Sequence, residues 1–390
     1  MEQIDSIKQL CVTARRRAAI AGCLPLRVRD DVIRLISDRL VSGCPAVLEA
    51  NHRDVELAQG QLPSDFIDRL RLDENRISAL RDRLLLLASQ PDPLWHGRST
   101  RSGDEQVTQL TSPVGTVAFI YNGCPELTAL GIAACVKSGN SALLMPGVWG
   151  SSTDAALIEC IRASLSGSGY PPEAIVVADG SQPSLVLGAV RGECGTDMVF
   201  HRGPRRELIR LKNEARVPVV APGQGISHIY IDGTCDVASA VALTMKSVYP
   251  RDIEAGASVV LLVNSRVAAN YLSSLERGIQ PYRPEYRACP IAREHLTEAV
   301  PAVRDDWSAD GLSDGNIIAV RVVATAEEAI EHINTYGTAP EQAIISDSLN
   351  VIRRFCREVA AREVCVNIAL PHFSGVRPEW FVRTRTVAIG

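Results

Sequence analysis

The chain has 390 residues, enough for two or three domains, and its 46% hydrophobic and 22% charged residues match a folded globular protein rather than a disordered or low-complexity one. With 41 Lys+Arg against 45 Asp+Glu the net charge is -4, which offers no bulk basic field to a nucleic acid. No apolar run approaches the ~20 residues of a membrane span, so neither a nucleic-acid nor a membrane role is expected.

The first 20 residues read as a charged helix rather than a secretory signal. Helical spacing continues through Val32, Leu35, Ile36 and Leu40, then Val47–Leu48, Val55–Leu57, Ile67, Leu70 and Ile77–Leu87, and Pro91-Asp92-Pro93 closes this region. Residues 98–112 are polar with short alternation (QVTQL), the pattern of an exposed hairpin that pairs subunits. After Pro113 the text changes to strands alternating with helices. Strands are expected at 115–121, 141–145, 174–178, 197–200 and 217–220, with helices at 127–137, 152–165, 185–191 and 205–214. A second such series has strands near 228–232, 259–263, 317–323, 342–345 and 363–366, and helices at 237–246, 268–276, 327–336 and 349–359. Residues 279–316 read as Pro-rich and irregular. Alternation of this kind predicts α/β architecture with parallel sheets covered on both faces.

Eleven cysteines (Cys11, Cys23, Cys44, Cys124, Cys135, Cys160, Cys194, Cys235, Cys289, Cys356 and Cys365) are irregularly spaced with no CxxC pair, and seven histidines are scattered. This pattern predicts reduced thiols in a cytoplasmic protein and no metal site.

Several stretches together resemble one family. They are 46–54 (AVLEANHRD), 65–72 (DFIDRLRL), Pro113-Val114-Gly115 with Ile120, Tyr121 and Pro125, the tetrad 137–140 (KSGN), 213–219 (NEARVPV), Gly223-x-Gly225-x-x-His228-x-Tyr230-x-Asp232, 329–337 (AIEHINTYG) and Val366-Asn367. The chain resembles γ-glutamyl phosphate reductases, also called glutamate-5-semialdehyde dehydrogenases, within the aldehyde dehydrogenase superfamily. The resemblance implies two intertwined α/β domains. Residues 1–229 with 367–390 would form a Rossmann-like cofactor domain, and 230–366 a catalytic-type domain. It also implies a homo-oligomer, a glutamate-like acyl phosphate or amino acid as ligand, NADPH as cofactor, and a glutamate-kinase-like partner. In the family a cysteine thiolate expels phosphate, and the resulting thioester is reduced.

That cysteine is missing from its expected place. In the family it follows Gln-Arg-Pro and precedes a Leu-Leu-Val strand. Here 246–263 reads KSVYPRDIEAGASVVLLV, and Ile253, Glu254 or Ala255 stands at the nucleophile position. No cysteine occurs between Cys235 and Cys289. Further departures are Asn122-Gly123-Cys124 for Glu-Ser-Arg, Met145 for an Arg, and His201-Arg202-Gly203-Pro204 for Pro-Arg-Gly-Gly.

The expected site follows from these matches. Cys124 is the candidate relocated nucleophile, with a semi-buried thiol as the plainer reading. Glu254 is the candidate base or carboxylate nucleophile, against a solvated loop charge. Lys137, Asn140, His228 and Asn367 are candidate substrate contacts, and Ser138, Gly139, Arg202 and Gly203 candidate cofactor contacts. Helix capping, a hydrogen-bonded strand histidine and a basic turn are the plainer alternatives. The expected functions are acyl transfer without a hydride step, reduction with a relocated nucleophile, or a non-catalytic partner of a kinase or related reductase.

Overall fold

Five helices open the chain: α1 (Glu2–Gly22), α2 (Leu26–Ser42), α3 (Cys44–Ala58), α4 (Ser64–Leu70) and α5 (Glu74–Ser89). The buried stripe of α2 is Val32, Ile33, Ile36 and Leu40, as helical periodicity requires, whereas Leu35 faces outward. Asp73 caps α5 by accepting from Arg76 N at 2.7 Å. The computed structural model describes residues 2–62, 64–102, 105–165, 167–222, 225–249, 257–307, 316–338, 341–370 and 376–389.

The expected hairpin forms from β1 (Gly97–Ser102) and β2 (Glu105–Pro113), paired antiparallel from Gly97 opposite Leu110 to Ser102 opposite Glu105. Next come β3 (Thr116–Tyr121), α6 (Glu126–Ser138), β4 (Ser141–Pro146), α7 (Ser151–Leu165), β5 (Ile175–Val177), α8 (Pro183–Val190), β6 (Met198–Arg202), α9 (Arg205–Glu214) and β7 (Val219–Val220). The strands form a parallel sheet in the order β5-β4-β3-β6-β7. All six residues of β3 are buried, which is why the strand reads as a continuous apolar run. Ala118, Ile120, Leu143, Met145, Val199 and Leu211 share one core with Cys11 and Ala14 of α1.

The second series is β8 (Gly225–Ile231), α10 (Val237–Val248), β9 (Ala257–Asn264), α11 (Ala268–Ile279), β10 (Glu285–Ala288), α12 (Pro290–Arg293), β11 (Val300–Pro301), β12 (Ile317–Val323), α13 (Ala326–Tyr336), β13 (Glu341–Ile345), α14 (Leu349–Glu358) and β14 (Glu363–Val366). Its seven-stranded parallel sheet runs β11-β10-β12-β9-β8-β13-β14, with an apolar core on each face. The stretch read as irregular contributes β10 and β11. Strands of four and two residues are too short for alternation to be legible. A last strand, β15 (Val382–Ile389), returns to pair antiparallel with β2 from Val382 opposite Pro113 to Ile389 opposite Gln106.

The chain divides into two units, Met1–Ala221 with Gly375–Gly390, and Pro222–Ser374. The division expected at 229/230 would cut β8, because that strand begins at Gly225 and pairs with β9 along its whole length. Likewise the return to the first unit falls at Gly375 rather than at 367.

Candidate functional site

In open parallel sheets, ligands bind beyond the carboxyl ends of the strands, where neighbouring strands depart in opposite directions. In the first unit that point lies between β3 and β6. The register sets Tyr121 opposite both Pro146 and Arg202, so the loops after β3, β4 and β6 open on one edge. Cys124, Arg202 and Gly203 therefore come together here. Cys124 is buried at the start of α6, where its carbonyl accepts from Leu127 N at 3.0 Å. Arg202 is buried at the end of β6.

Carboxylates stand at the starts of three helices that leave this edge, α6, α7 and α9, whereas α8 has none in its first turn. Glu126, in the first turn of α6, is buried and takes a hydrogen bond from the Arg76 guanidinium. Asp54 of α3 caps α7, accepting from Thr153 N at 2.7 Å and Thr153 Oγ1 at 2.6 Å. Asp154, in the first turn of α7, accepts from Thr128 Oγ1 at 2.5 Å, and Thr128 accepts from the Tyr121 hydroxyl at 2.5 Å. Burial, with Asp54 and Glu126 adding to it, pushes the Asp154 carboxyl up to about 7. Burial and then Asp154 hold the Tyr121 phenol well above its usual range. Glu207, in the first turn of α9, lies 3.2 Å from His201 Nε2, and this hydrogen bond holds its carboxyl below the usual range.

The glycines of the edge are filled from within. A Cβ on Gly123 would stand 2.4 Å from the Phe66 ring, one on Gly147 2.6 Å from the Asn122 amide, and one on Gly180 2.3 Å from the Met145 carbonyl. Over Gly203 the same position is 2.9 Å from Glu207 Oε2 and 3.1 Å from His201 Nε2.

The KSGN tetrad lies at the opposite, amino edge of this sheet, and the expectation of substrate and cofactor contacts is corrected there. Lys137 is fully buried, with Nζ bonded to Asp30 Oδ1 at 2.6 Å, Ala88 O at 2.9 Å and Gln90 O at 2.7 Å. Its three donors are spent inside the protein. Ser138 Oγ donates to Ala134 O at 2.6 Å. Gly139, at φ 67°, is the left-handed cap that ends α6. Asn140 accepts from Gly115 N at 2.8 Å and donates to Phe381 O at 2.8 Å. The four residues tie α6 to β3 and to the chain entering β15.

In the second unit, His228 is buried in β8, where its backbone N donates to Gln342 Oε1 at 2.6 Å and its ring meets His332 edge to face at 5.3 Å. It is a core histidine, not an exposed carboxylate contact. Asn367, at φ 53°, clasps the Ser346 backbone, accepting from its N at 2.9 Å and donating to its O at 3.0 Å. That pairing holds the end of β14 against the residue that follows β13. Nearby, Asp232 accepts from Thr234 Oγ1 at 2.6 Å and Ser346 Oγ at 2.8 Å. Glu254 lies outside the described residues. Among the described residues, no three or more His, Cys, Asp and Glu side chains gather as a metal site, and no helix is long and apolar enough to cross a membrane.

Sequence reading did not single out Asp54, Glu126, Asp154 or Glu207. An acid in a first helical turn is an ordinary signal, and only the sheet topology gathers these four at one edge.

No family model matches the chain. It is 34% identical to a γ-glutamyl phosphate reductase of Thermus thermophilus, over 87% of this chain and 82% of that one. The crystal structure of γ-glutamyl phosphate reductase from Thermotoga maritima superposes with a TM-score of 0.83 at 25% identity, covering 98% of each chain. A glyceraldehyde-3-phosphate dehydrogenase from Methanocaldococcus jannaschii, complexed with NADP, has the same fold at a TM-score of 0.62 and 15% identity, over 99% of this chain and 94% of that one. The fold is that of the aldehyde dehydrogenase superfamily, and the chain belongs to the γ-glutamyl phosphate reductase family.

Proposed function

We propose that this chain acts on a γ-glutamyl-phosphate-type acyl phosphate. The observation that carries this reading is the 34% identity to the Thermus reductase across 82% of that protein's length. An acyl phosphate is already activated, so positioning and electrostatic stabilisation suffice to drive displacement of phosphate.

Reduction to the semialdehyde, with NADP(H) as the hydride source, is the fate that the relatives' name supports. It requires a thiol, and Cys124 at the carboxyl edge of the first sheet is the candidate. A second reading is favoured by the absence of any cysteine between Cys235 and Cys289. Here an amine nitrogen attacks the acyl carbon and a C–N bond forms. The C–O bond to phosphate breaks, phosphate leaves with the electron pair, and the nitrogen's proton passes to solvent.

A single reaction tests both: the protein with a glutamate kinase, ATP, glutamate, NADPH and a panel of amines, analysed by mass spectrometry and by NADPH absorbance. NADPH consumed in step with semialdehyde supports reduction, and a rate unchanged in Cys124→Ala removes the relocated thiol. Amide or lactam above the kinase-only control, with NADPH intact, supports acyl transfer. No product above that control refutes the substrate class.

A further inference from the structure

A Rossmann-like edge takes a dinucleotide because glycines leave room for the pyrophosphate and helix N-termini face it with unsatisfied N–H groups and positive dipole ends. At the edge between β3 and β6, carboxylates stand in the first turns of the departing helices, and Glu207 lies over Gly203. A Cβ on Gly203 would stand 2.9 Å from Glu207 Oε2 and 3.1 Å from His201 Nε2, so this hydrogen-bonded pair sits against the glycine that precedes α9.

The helix ends are furnished in the same way. α6 begins with Glu126, already bonded to Arg76. The first N–H groups of α7 are capped by Asp54, and Asp154 stands in the same turn. α9 opens with Pro204 at its cap, a residue with no N–H, and carries Glu207 in its first turn. The acids in these first turns complement the dipole that an incoming pyrophosphate would use, and an ionised Glu207 beside Gly203 repels its charge. Cations do stand nearby: Arg202 is buried at the end of β6 and Arg206 is exposed on α9. Arg76 is already engaged with Glu126.

We propose that Glu207 and Glu126, with Asp54 behind them, close this edge to NADP(H), so that the chain keeps the dinucleotide fold without the cofactor. The residues do not fit the group that the fold family implies. This inference concerns the first unit alone and is independent of the acyl-phosphate reading, but it separates that reading's two fates, because reduction needs the cofactor and acyl transfer does not.

The test is an equilibrium titration of the whole protein with NADPH, followed by ligand fluorescence and by calorimetry, with the Thermus thermophilus reductase as positive control. Glu207→Gln and Glu207→Ala are titrated alongside a Glu126→Gln/Glu207→Gln double variant, each first shown to melt cooperatively. The expected result is no saturable binding by the parent at millimolar NADPH, and at least about tenfold tighter binding once Glu207 is neutralised or truncated. Saturable micromolar binding by the parent overturns the proposal. Folded variants that gain nothing overturn the assignment of these carboxylates as the barrier. The kinase-coupled product assay without NADPH is read separately, so a failure here is distinct from a failure of the substrate assignment.

Discussion

Lys137 illustrates how a residue that matches a family motif is spent on the fold. Its ammonium is held by one carboxylate and two carbonyls, with no water-facing atom. Removing it leaves Asp30 and two carbonyls buried without their donor. Lys137→Met is therefore expected to cost about 3–5 kcal/mol of stability, measured by urea unfolding, rather than to raise a substrate KM in a stable protein. Three other buried groups make stability depend on pH, two histidines in one direction and an aspartate in the other. Burial and then His332 hold His228 down to about 3, and burial and then Arg321 hold His332 down to about 4, against an ordinary 6.5. The fold favours both neutral rings, so the stability they contribute is present above pH 6.5 and is lost as pH falls toward 4. His332→Phe, which keeps an aromatic ring against Trp307 and Tyr336, should flatten that acid limb in urea midpoints measured across the range. Asp154 has the reverse sign. Its carboxyl is raised from 3.8 to about 7, so the fold favours the protonated acid, and that contribution is complete below pH 3.8 and lost as pH rises through 7. Asp154→Asn should gain on the parent between about pH 4 and 7 and hold that gain above it, and a constant difference from pH 4 to 7 would contradict the assignment.

At the scale of elements, the junction of α6 with β4 is the most tightly specified joint of the first unit. Gly139 adopts φ 67°, and a Cβ there would stand 2.9 Å from Gly22 Cα. Neither the left-handed backbone nor the contact with α1 tolerates a side chain. Gly139→Ala should lower stability by at least about 1 kcal/mol, visible as a lower melting temperature with the far-UV circular dichroism spectrum unchanged. This joint also marks what could be read from the sequence. The βαβ alternation, the hairpin at 98–112 and the cap at 138–140 were legible because each is local: a period, a polar alternation, a glycine after a helix. Strand β15 was not, because its charged, alternating text (VRTRTVAI) becomes a strand through pairing with β2, some 270 residues earlier. Strands β10 and β11 were lost to their shortness. The acids of the carboxyl edge were invisible for a different reason. Asp54, Glu126, Asp154 and Glu207 come from four helices, and no spacing in the text joins them.

The molecule as a whole has the fold of the γ-glutamyl phosphate reductases, with a TM-score of 0.83 to the Thermotoga maritima protein, and divides into two units. KSGN and Asn367 are spent on joints within the fold, Asn140 donating to Phe381 O and Asn367 accepting from Ser346 N. Taken together, the two proposals made above give an acyl-phosphate substrate handled without the dinucleotide. The most direct test compares product yields from the kinase-coupled reaction, run with an added amine, in the presence and absence of NADPH. The account predicts amide or lactam above the kinase-only control, in equal yield under both conditions, with NADPH unconsumed. Semialdehyde appearing only with NADPH, one molecule for each NADPH oxidised, would contradict it.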